Sequence, residues 1–145
     1  MTQMLNFQNV ELYYDHVYAL KGVSIELNEG ETVALIGANG AGKTSLLRTI
    51  SGLLRTKSGQ IIYQPSGNGE KIDISRMPAE QIVNLGVCHC PEGRGIFSRL
   101  SVRENLLVGA YLRKDKPAIA ADYEHVCEIF PILAERAGQA GGSLS

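Results

Sequence analysis

One octapeptide constrains this chain more than any other stretch. It reads Gly37-Ala38-Asn39-Gly40-Ala41-Gly42-Lys43-Thr44 and fits the pattern G-x-x-x-x-G-K-[ST]. An apolar run at residues 32–36 precedes it and a helical pattern follows it, which is the strand-loop-helix setting in which the pattern has mechanical meaning. Small residues let such a backbone curl so that successive N–H groups point inward at a helix N-terminus. The octapeptide therefore predicts a loop that binds phosphate groups.

The residue types of the loop predict how a nucleoside triphosphate is held. We expect Lys43 to reach the β- and γ-phosphates and to act in catalysis, and Thr44 to ligate Mg²⁺ through its hydroxyl. The alternative is a glycine-rich turn with one exposed lysine, which the full octapeptide and its flanks argue against. The predicted cofactor-binding residues here are Gly37, Ala38, Asn39, Gly40, Ala41, Gly42, Lys43, Thr44 and Ser45.

Composition excludes some classes of protein. The chain has 145 residues, of which 44% are hydrophobic and 20% are charged, as in one ordinary globular domain. With 14 basic and 15 acidic residues the formal charge is −1, so no basic excess indicates nucleic acid as a partner. We find neither an apolar run of bilayer length nor a basic and then apolar leader, and so expect a cytosolic location.

Three cysteines, Cys88, Cys90 and Cys127, cannot all pair with one another, which favours reduced thiols over a disulfide framework. The run Cys88-His89-Cys90 raises the alternative of a metal site. In a strand, however, the two thiols face one way and His89 faces the other, which is poor geometry for one shared ion. We therefore expect buried thiols that pack as small hydrophobic side chains.

Hydrophobic periodicity predicts the elements around the loop. Two strands are expected first, at residues 5–14 with a bulge or bend, and through residues 23–27. The continuous apolar run at 32–36 is typical of a strand buried on both faces of a sheet. A helix follows the loop and ends near Gly52. Its apolar stripe should be core and consists of Leu46, Leu47, Ile50, Leu53 and Leu54.

Downstream of the loop the pattern is mixed at first and then helical. Ser101-Val102-Arg103-Glu104 is a capping box, in which Ser101 bonds the amide of Glu104 and Glu104 reaches back. Pro131 should stop a helix, and residues 140–145 should be flexible. The predicted elements are short strands at 60–63 and 72–74, a helix at about 78–86, a strand at 87–90, and helices at about 102–110, 119–130 and 132–137.

Strands, then a phosphate loop, then a run of helices predict the α/β class. We expect a P-loop NTPase core with an N-terminal antiparallel sheet and a helical part. No internal repeat and no low-complexity segment is visible in the sequence. Fold class alone does not give a function.

Three segments taken together resemble the ATP-binding subunits of ABC transporters. They are the phosphate loop, the segment Pro91-Glu92-Gly93-Arg94 followed by Leu100-Ser101-Val102-Arg103-Glu104-Asn105-Leu106, and the terminal Gly142-Ser143-Leu144-Ser145. The resemblance is strongest for branched-chain amino acid subunits of the LivF type. The runs that carry this finer likeness are Ala19-Leu20-Lys21-Gly22-Val23-Ser24 and Ala34-Leu35-Ile36-Gly37-Ala38-Asn39-Gly40.

The resemblance implies an ABC ATPase fold in two parts, incomplete at its C-terminus. A β subdomain with the phosphate-loop core occupies about 1–90, and a lid loop with a helical subdomain occupies about 91–145. Leu144-Ser145 resembles the start of the LSGGQ signature, and the family's Walker B aspartate, catalytic glutamate and switch histidine lie further downstream. We therefore expect this chain alone not to hydrolyse ATP at a useful rate, and expect the strand at 32–36 to be partly uncovered.

Two further residues take roles from the resemblance. Tyr14 occupies the place of the family's aromatic residue that stacks on adenine, unless it packs on a sheet neighbour or Tyr13 or Tyr18 replaces it after a register slip. Glu92 stands where most ABC domains have the lid-loop glutamine, which implies a catalytic and metal-contacting role. A carboxylate accepts from metal-bound water but cannot donate as an amide does. Arg94 is either a lid residue facing the transporter or a solvated charge.

The implied function is an energy-coupling ATPase subunit of an ABC importer for branched-chain amino acids, with ATP and Mg²⁺ as cofactors. The implied partners are transmembrane permease subunits and a second ATP-binding subunit, with the chain peripheral on the cytoplasmic face of the plasma (inner) membrane. Residues 93–109 should receive the permease, since Ile96, Phe97 and Leu100 are many apolar side chains for a solvated loop, unless they pack within the chain. A non-transport ABC-type ATPase, a small-molecule or phosphate kinase, and a nucleotide-binding module without turnover are the alternatives.

Overall fold

An antiparallel sheet leads the chain in the computed structural model, which describes residues 2–65, 69–93 and 95–144. The strands are β1 (Gln3–Tyr14), β2 (Val17–Asn28), β3 (Ser58–Tyr63) and β4 (Ile72–Asp73), in the order β2-β1-β3-β4. Each neighbouring pair runs antiparallel, which confirms these four predicted strands. Arg94 and Ser145 lie outside the described residues.

The first strand is irregular, as its sequence pattern predicts. Against β2 the register passes from Phe7 opposite Ile25 to Val10 opposite Val23, which leaves one extra residue in the middle of β1. Nearer the hairpin end it passes from Leu12 opposite Leu20 to Tyr13 opposite Tyr18, which leaves Ala19 as an extra residue in β2. Against β3 the register shifts between Gln8 and Glu11. These bulges let one strand pair with two differently spaced neighbours.

The core lies on one face of this sheet. Phe7, Val10 and Leu12 of β1 are at most 2% exposed, and Ile61 of β3 is fully buried. Two helices contribute to the same cluster, α1 (Lys43–Ile50) through Leu46 and α2 (Ala79–Asn84) through Ile82. The alternation of buried and exposed residues along β1 is what a sheet with one covered face produces.

The prediction of a strand at residues 32–36 is wrong in this structure. The segment has neither helix nor strand, and Ile36 is 94% exposed. A buried parallel strand needs neighbours that satisfy its N–H and C=O groups, and the strands of the described sheet pair only with one another. The expectation that this run is partly uncovered agrees with the exposure of Val33 and Ile36.

The predicted strand at residues 87–90 is also absent from the described part of the chain, for the same reason. Cys88 and Cys90 are exposed and Cys127 is half-buried, so the expectation of buried thiols is wrong. The described residues hold no cluster of three or more His, Cys, Asp or Glu side chains arranged for a metal ion.

The helix after the loop ends where the sequence places its end, but its stripe is only partly core. α1 stops at Ile50, with Ser51 as its C-cap and Gly52 in a left-handed conformation. Leu46 is buried, whereas Leu47 is 43% exposed and Leu53 is 60% exposed. Leu47 lines the same groove as Val33 and Leu35, beside the run that formed no strand.

The chain divides into two compact units, residues 1–89 and residues 90–145, and the second unit is helical. Its helices are α3 (Val102–Val108), α4 (Lys116–Ile129), α5 (Pro131–Glu135) and a 3₁₀ turn (Gly141–Ser143). The predicted capping box of α3 is confirmed, with Ser101 accepting from the Glu104 amide and Glu104 accepting from the Ser101 amide at 2.7 Å. The Ser101 hydroxyl also donates to the Glu104 carboxylate at 2.7 Å, and this bond, followed by the one from the Ser101 amide, lowers the pKa of the Glu104 carboxyl. Among the described helices none is long and apolar enough to cross a membrane.

The expectation that residues 140–145 are flexible is wrong for the described part of that segment. The amide of Gly141 donates to the Leu100 carbonyl at 2.8 Å and that of Gly142 to the Ser98 carbonyl at 3.1 Å. A Cβ on Gly142 would lie 2.7 Å from the Ser98 Cβ, so the close approach requires glycine. The segment is therefore fastened to the turn that precedes α3.

Asn105 fastens the same turn through its side chain. Its side-chain amide donates to the carbonyls of Phe97, Leu100 and Ser101 at 3.0, 3.2 and 2.9 Å, and its oxygen accepts from the Phe97 amide at 2.8 Å. One side chain thus satisfies four backbone groups of the turn. No sequence pattern indicated this role.

We expect Asn105→Ala to loosen the turn and the segment fastened to it, because four backbone groups lose their partner. Amide hydrogen exchange should accelerate by about tenfold or more at Phe97, Gly141 and Gly142. Asn84→Ala is the matched control, since it removes one exposed bond from Asn84 to the Glu80 carbonyl. Unchanged protection at Gly141 would contradict the role assigned to Asn105.

Candidate functional site

The phosphate loop ends at a helix N-terminus that suits an anion. Gly42 is the N-cap of α1 and has a left-handed backbone, with φ 90° and ψ 3°. In the described part of the chain no side chain caps this end of α1, and its first turn carries no acidic residue. The first N–H groups of a helix lack partners within the helix and carry its partial positive charge.

Lys43 places its charge inside the arc of the loop. Its ammonium donates to the carbonyls of Gly37 at 2.7 Å and Ala38 at 2.8 Å. The Ala41 amide also donates to the Ala38 carbonyl, at 3.1 Å, so the loop turns tightly between its two ends. A positive charge within a curled backbone favours binding of a negatively charged phosphate chain.

The loop is pressed against β2 at one glycine and open at another. A Cβ on Gly42 would lie 2.8 Å from the Ala19 carbonyl oxygen and 3.1 Å from Cδ2 of Leu20. On Gly40, where φ is also positive at 83°, a Cβ would meet no heavy atom within 4 Å. The bulged residue of β2 therefore sets the position of the helix end, while the middle of the loop stays accessible.

Tyr14 lies at the start of α1, at the end of the β1–β2 hairpin. The Ser45 hydroxyl lies 3.4 Å from the Tyr14 hydroxyl, a long hydrogen bond, and the tyrosine is 39% exposed. Tyr13 and Tyr18 instead stack on one another, with ring centroids 4.4 Å apart. Tyr14 is thus the candidate that lies near the phosphate loop, whereas the rings of Tyr13 and Tyr18 pack against each other. Stacking of Tyr14 on adenine stays a prediction.

The other predicted site residues are Thr44, Glu92 and Arg94. Thr44 is the second residue of α1 and is exposed. Glu92 is exposed and belongs to the second unit, residues 90–145. Arg94 lies outside the described residues. Metal ligation by Thr44 and Glu92, and catalysis by Lys43 and Glu92, remain predictions.

The groups assembled in the first unit fit a magnesium–triphosphate ligand. Backbone amides of α1, the Lys43 ammonium and the hydroxyls of Thr44 and Ser45 are donors grouped at one helix end. Phosphate oxygens are acceptors, and a hydroxyl oxygen is a ligand type that Mg²⁺ takes together with phosphate oxygens. The donor set therefore suits this ligand.

Sequence reasoning missed the parts that hold the loop and the tyrosine in place. The Ala19 carbonyl meets Gly42 only because β2 has one residue more than β1 at that point, which no periodicity reveals. Glu11 accepts hydrogen bonds from the side chains of Tyr18 and Ser58, residues 7 and 47 positions away. The odd phase in the middle of β1 indicated a bulge in that strand, which lies between Phe7 and Val10 and not at Ala19.

Comparison of this sequence with known proteins agrees with a nucleotide-binding site at the phosphate loop. The family model described as "ABC transporter" matches residues 20–145. The high-affinity branched-chain amino acid transport ATP-binding protein BraG of Pseudomonas aeruginosa is 42% identical over 98% of this chain and 58% of its own length. The lipopolysaccharide export system ATP-binding protein LptB of Haemophilus influenzae is 36% identical over 77% of this chain and 44% of its own.

A solved ATP-binding cassette of an ABC transporter, in its ADP conformation, superposes with a TM-score of 0.69 and 26% identity over the whole chain. The predicted α/β fold class, a P-loop NTPase core of the ABC ATPase type with an antiparallel β subdomain and a helical subdomain, is confirmed by this likeness. The chain spans about 60% of the cassette's length. Because a family model matches residues 20–145 and a relative is 42% identical over 98% of this chain, the chain belongs to the ABC transporter family of ATP-binding proteins.

Proposed function

We propose that this protein is the ATP-binding, energy-coupling subunit of an importer for branched-chain amino acids, and that ATP binding and hydrolysis drive the transport. The observation that carries the proposal is the loop of residues 37–44, with the Lys43 ammonium held inside its arc at a helix end without a side-chain cap. The solute class rests on the likeness to BraG, which extends over 98% of this chain.

The first unit supplies the nucleotide-binding groups of this proposal. The amides at the start of α1 and the Lys43 ammonium bind the phosphates, the Thr44 hydroxyl binds Mg²⁺, and the Tyr14 ring stacks on the base. Bound Mg²⁺ supplies charge neutralisation on the phosphate oxygens. Glu92, a carboxylate where the family's common residue is an amide, accepts hydrogen bonds from water near the metal.

Import of amino acids is favoured over lipopolysaccharide export by the extent of the likeness. The identity to BraG is 42% over 98% of the chain, against 36% over 77% for LptB. Deleting the gene in its host should abolish most high-affinity uptake of leucine while uptake of an unrelated solute continues. A defect in the lipopolysaccharide of the outer membrane, with leucine uptake intact, would support the export function instead.

The permease subunits bind, in this proposal, to the apolar turn before α3. Phe97 is 57% exposed and Ile96 is 41% exposed, which supports this surface over the alternative that the apolar side chains pack within the chain, while Leu100 is half-buried. Asn105 holds the Phe97 backbone by two hydrogen bonds, which presents the exposed ring from a fixed position. Binding there and to a second ATP-binding subunit would place the protein on the cytoplasmic face of the inner membrane.

Phe97→Asp should therefore reduce recovery of the protein with its permease subunits by about tenfold, as expected when a charge replaces an apolar anchor. The measurement is copurification after coexpression of the importer's subunits. Tyr111→Asp is the matched control, because Tyr111 is 84% exposed and lies outside residues 93–109. Normal recovery of the Phe97 variant would show that the docking surface lies elsewhere.

A further inference from the structure

A cluster of polar and aromatic side chains lies on the outer face of the sheet, near the closed end of the β1–β2 hairpin. The Tyr18 hydroxyl donates to one oxygen of Glu11 at 2.5 Å, and the Ser58 hydroxyl donates to the other oxygen at 2.7 Å. The Lys57 amide donates to the Glu11 main-chain carbonyl at 2.8 Å. Glu11 thereby ties the hairpin to the start of β3 through both its side chain and its backbone.

Ring stacking extends this cluster to the neighbour of Tyr14. The rings of Tyr13 and Tyr18 are 5° from parallel, with centroids 4.4 Å apart, and the Lys21 ammonium lies 5.8 Å from the Tyr18 centroid. Tyr13 and Tyr18 are opposite one another in the strand pairing. Since successive side chains of a strand alternate between faces, Tyr14 projects to the other face, where its hydroxyl lies near Ser45.

The tip of the hairpin is exposed. Asp15 has a positive φ of 49°, and the residues of the tip, Asp15, His16 and Val17, are exposed. The described hydrogen bonds that anchor this end of the hairpin to β3 therefore centre on Glu11. Whatever fixes the Tyr13 and Tyr18 rings also fixes the backbone from which Tyr14 leaves the sheet.

We propose that Tyr18, held by Glu11 and stacked on Tyr13, is a positioning residue for the nucleotide base: it sets the place of the Tyr14 ring beside the phosphate loop. The proposal rests on the proposed function, because it takes Tyr14 as the residue that stacks on adenine. Tyr18 itself touches no part of the nucleotide. Its effect passes through Tyr14 alone.

The charges of the cluster keep it assembled at neutral pH. The hydrogen bond from Tyr18, followed by that from Ser58, lowers the pKa of the Glu11 carboxyl, so Glu11 stays ionised as an acceptor. The same bond to Glu11 raises the pKa of Tyr18, so its hydroxyl keeps the proton that it donates. Both shifts favour the form in which Tyr18 donates and Glu11 accepts.

The test compares binding of ATP with binding of inorganic tripolyphosphate, both with Mg²⁺, by calorimetry on the whole chain. Tripolyphosphate occupies the phosphate loop but has no base. Base–aromatic stacking is worth about 5- to 150-fold in affinity, so Tyr14→Ala sets the upper limit and Tyr18→Phe should weaken ATP binding by about fivefold. Tyr18→Phe should leave tripolyphosphate binding unchanged. Combined with Tyr14→Ala, it should have no further effect on ATP, since its target is gone.

Tyr63→Phe is the matched control, because it removes another tyrosine hydroxyl of the same sheet, one that donates to the Leu85 carbonyl. Glu11→Gln is a second variant, which keeps an acceptor for Tyr18 and should weaken ATP binding less than Tyr18→Phe does. Equal ATP affinity of Tyr18→Phe and the parent overturns the proposal. Equal weakening of ATP and tripolyphosphate also overturns it, since that result indicates a general structural effect. Failure of the proposed function itself has a different signature, which is ATP binding insensitive to Lys43→Ala.

Discussion

Lys43→Ala is expected to weaken binding of Mg-ATP by about tenfold or more. Hydrogen bonds to a charged group are worth about 1.5–3 kcal/mol each, and Lys43 is the cation that lies within the arc of the phosphate loop. The substitution also removes two hydrogen bonds within the loop, those from the ammonium to the Gly37 and Ala38 carbonyls. Calorimetric titration of both proteins with Mg-ATP measures the difference.

Lys71→Ala is the control for the change of net charge. Lys71 is exposed in the same unit, between β3 and β4 and outside the phosphate loop, so it should bind Mg-ATP as the parent does. Equal affinity of Lys43→Ala and Lys71→Ala would remove the loop from the nucleotide site.

Gly42→Ala is expected to destabilise the first unit more than Gly40→Ala does, although both glycines have a positive φ. A left-handed backbone costs a residue with a Cβ about 1–2 kcal/mol, and both variants incur this cost. Only at Gly42 would the new Cβ meet backbone, the Ala19 oxygen at 2.8 Å, which adds the about 1–3 kcal/mol typical of overpacking. Gly42→Ala should also weaken nucleotide binding, because the start of α1 must move away from β2.

The free energy of unfolding in urea separates the two variants. Gly40→Ala serves as the internal control, because a Cβ there meets no heavy atom within 4 Å. A Gly42→Ala protein as stable as Gly40→Ala would show that the contact between β2 and the loop is not as close as described.

Elements that complete their own hydrogen bonds were predictable from the sequence. The β1–β2 hairpin pairs neighbours in the chain, and its alternating pattern shows in the residues themselves. The capping box of α3 is local in the same sense, since Ser101 and Glu104 satisfy each other's backbone groups. Hydrogen bonds between residues that lie close together in the chain are the kind that a single sequence can predict.

Elements that depend on distant neighbours were not predictable in this way. The run at 32–36 has the composition of a buried parallel strand, but composition alone cannot form one without adjacent strands. For the segment at 140–144 the prediction was wrong in the opposite direction. Its glycines suggested flexibility, yet Gly141 and Gly142 allow a close approach to the turn held by Asn105.

The candidate site also contains residues that were predictable from local sequence and residues that were not. The residues that meet phosphate lie in one contiguous motif, so spacing alone identified them, and Tyr14 followed from the family resemblance. The parts that support them were hidden. Ala19 acts through a bulge, and Glu11 acts through Tyr18 and Ser58 across three strands, so only the assembled sheet shows them.

The most direct test is an amide NMR spectrum of the isotope-labelled chain, titrated with Mg-ATP. If the nucleotide binds at the phosphate loop through the start of α1, with its base beside Tyr14, the largest shifts should fall on the amides of residues 40–45. Tyr14 should shift with them, and Lys43→Ala should suppress both changes. Absence of shifts in the loop at saturating nucleotide, or largest shifts within residues 95–144, would contradict binding at this site.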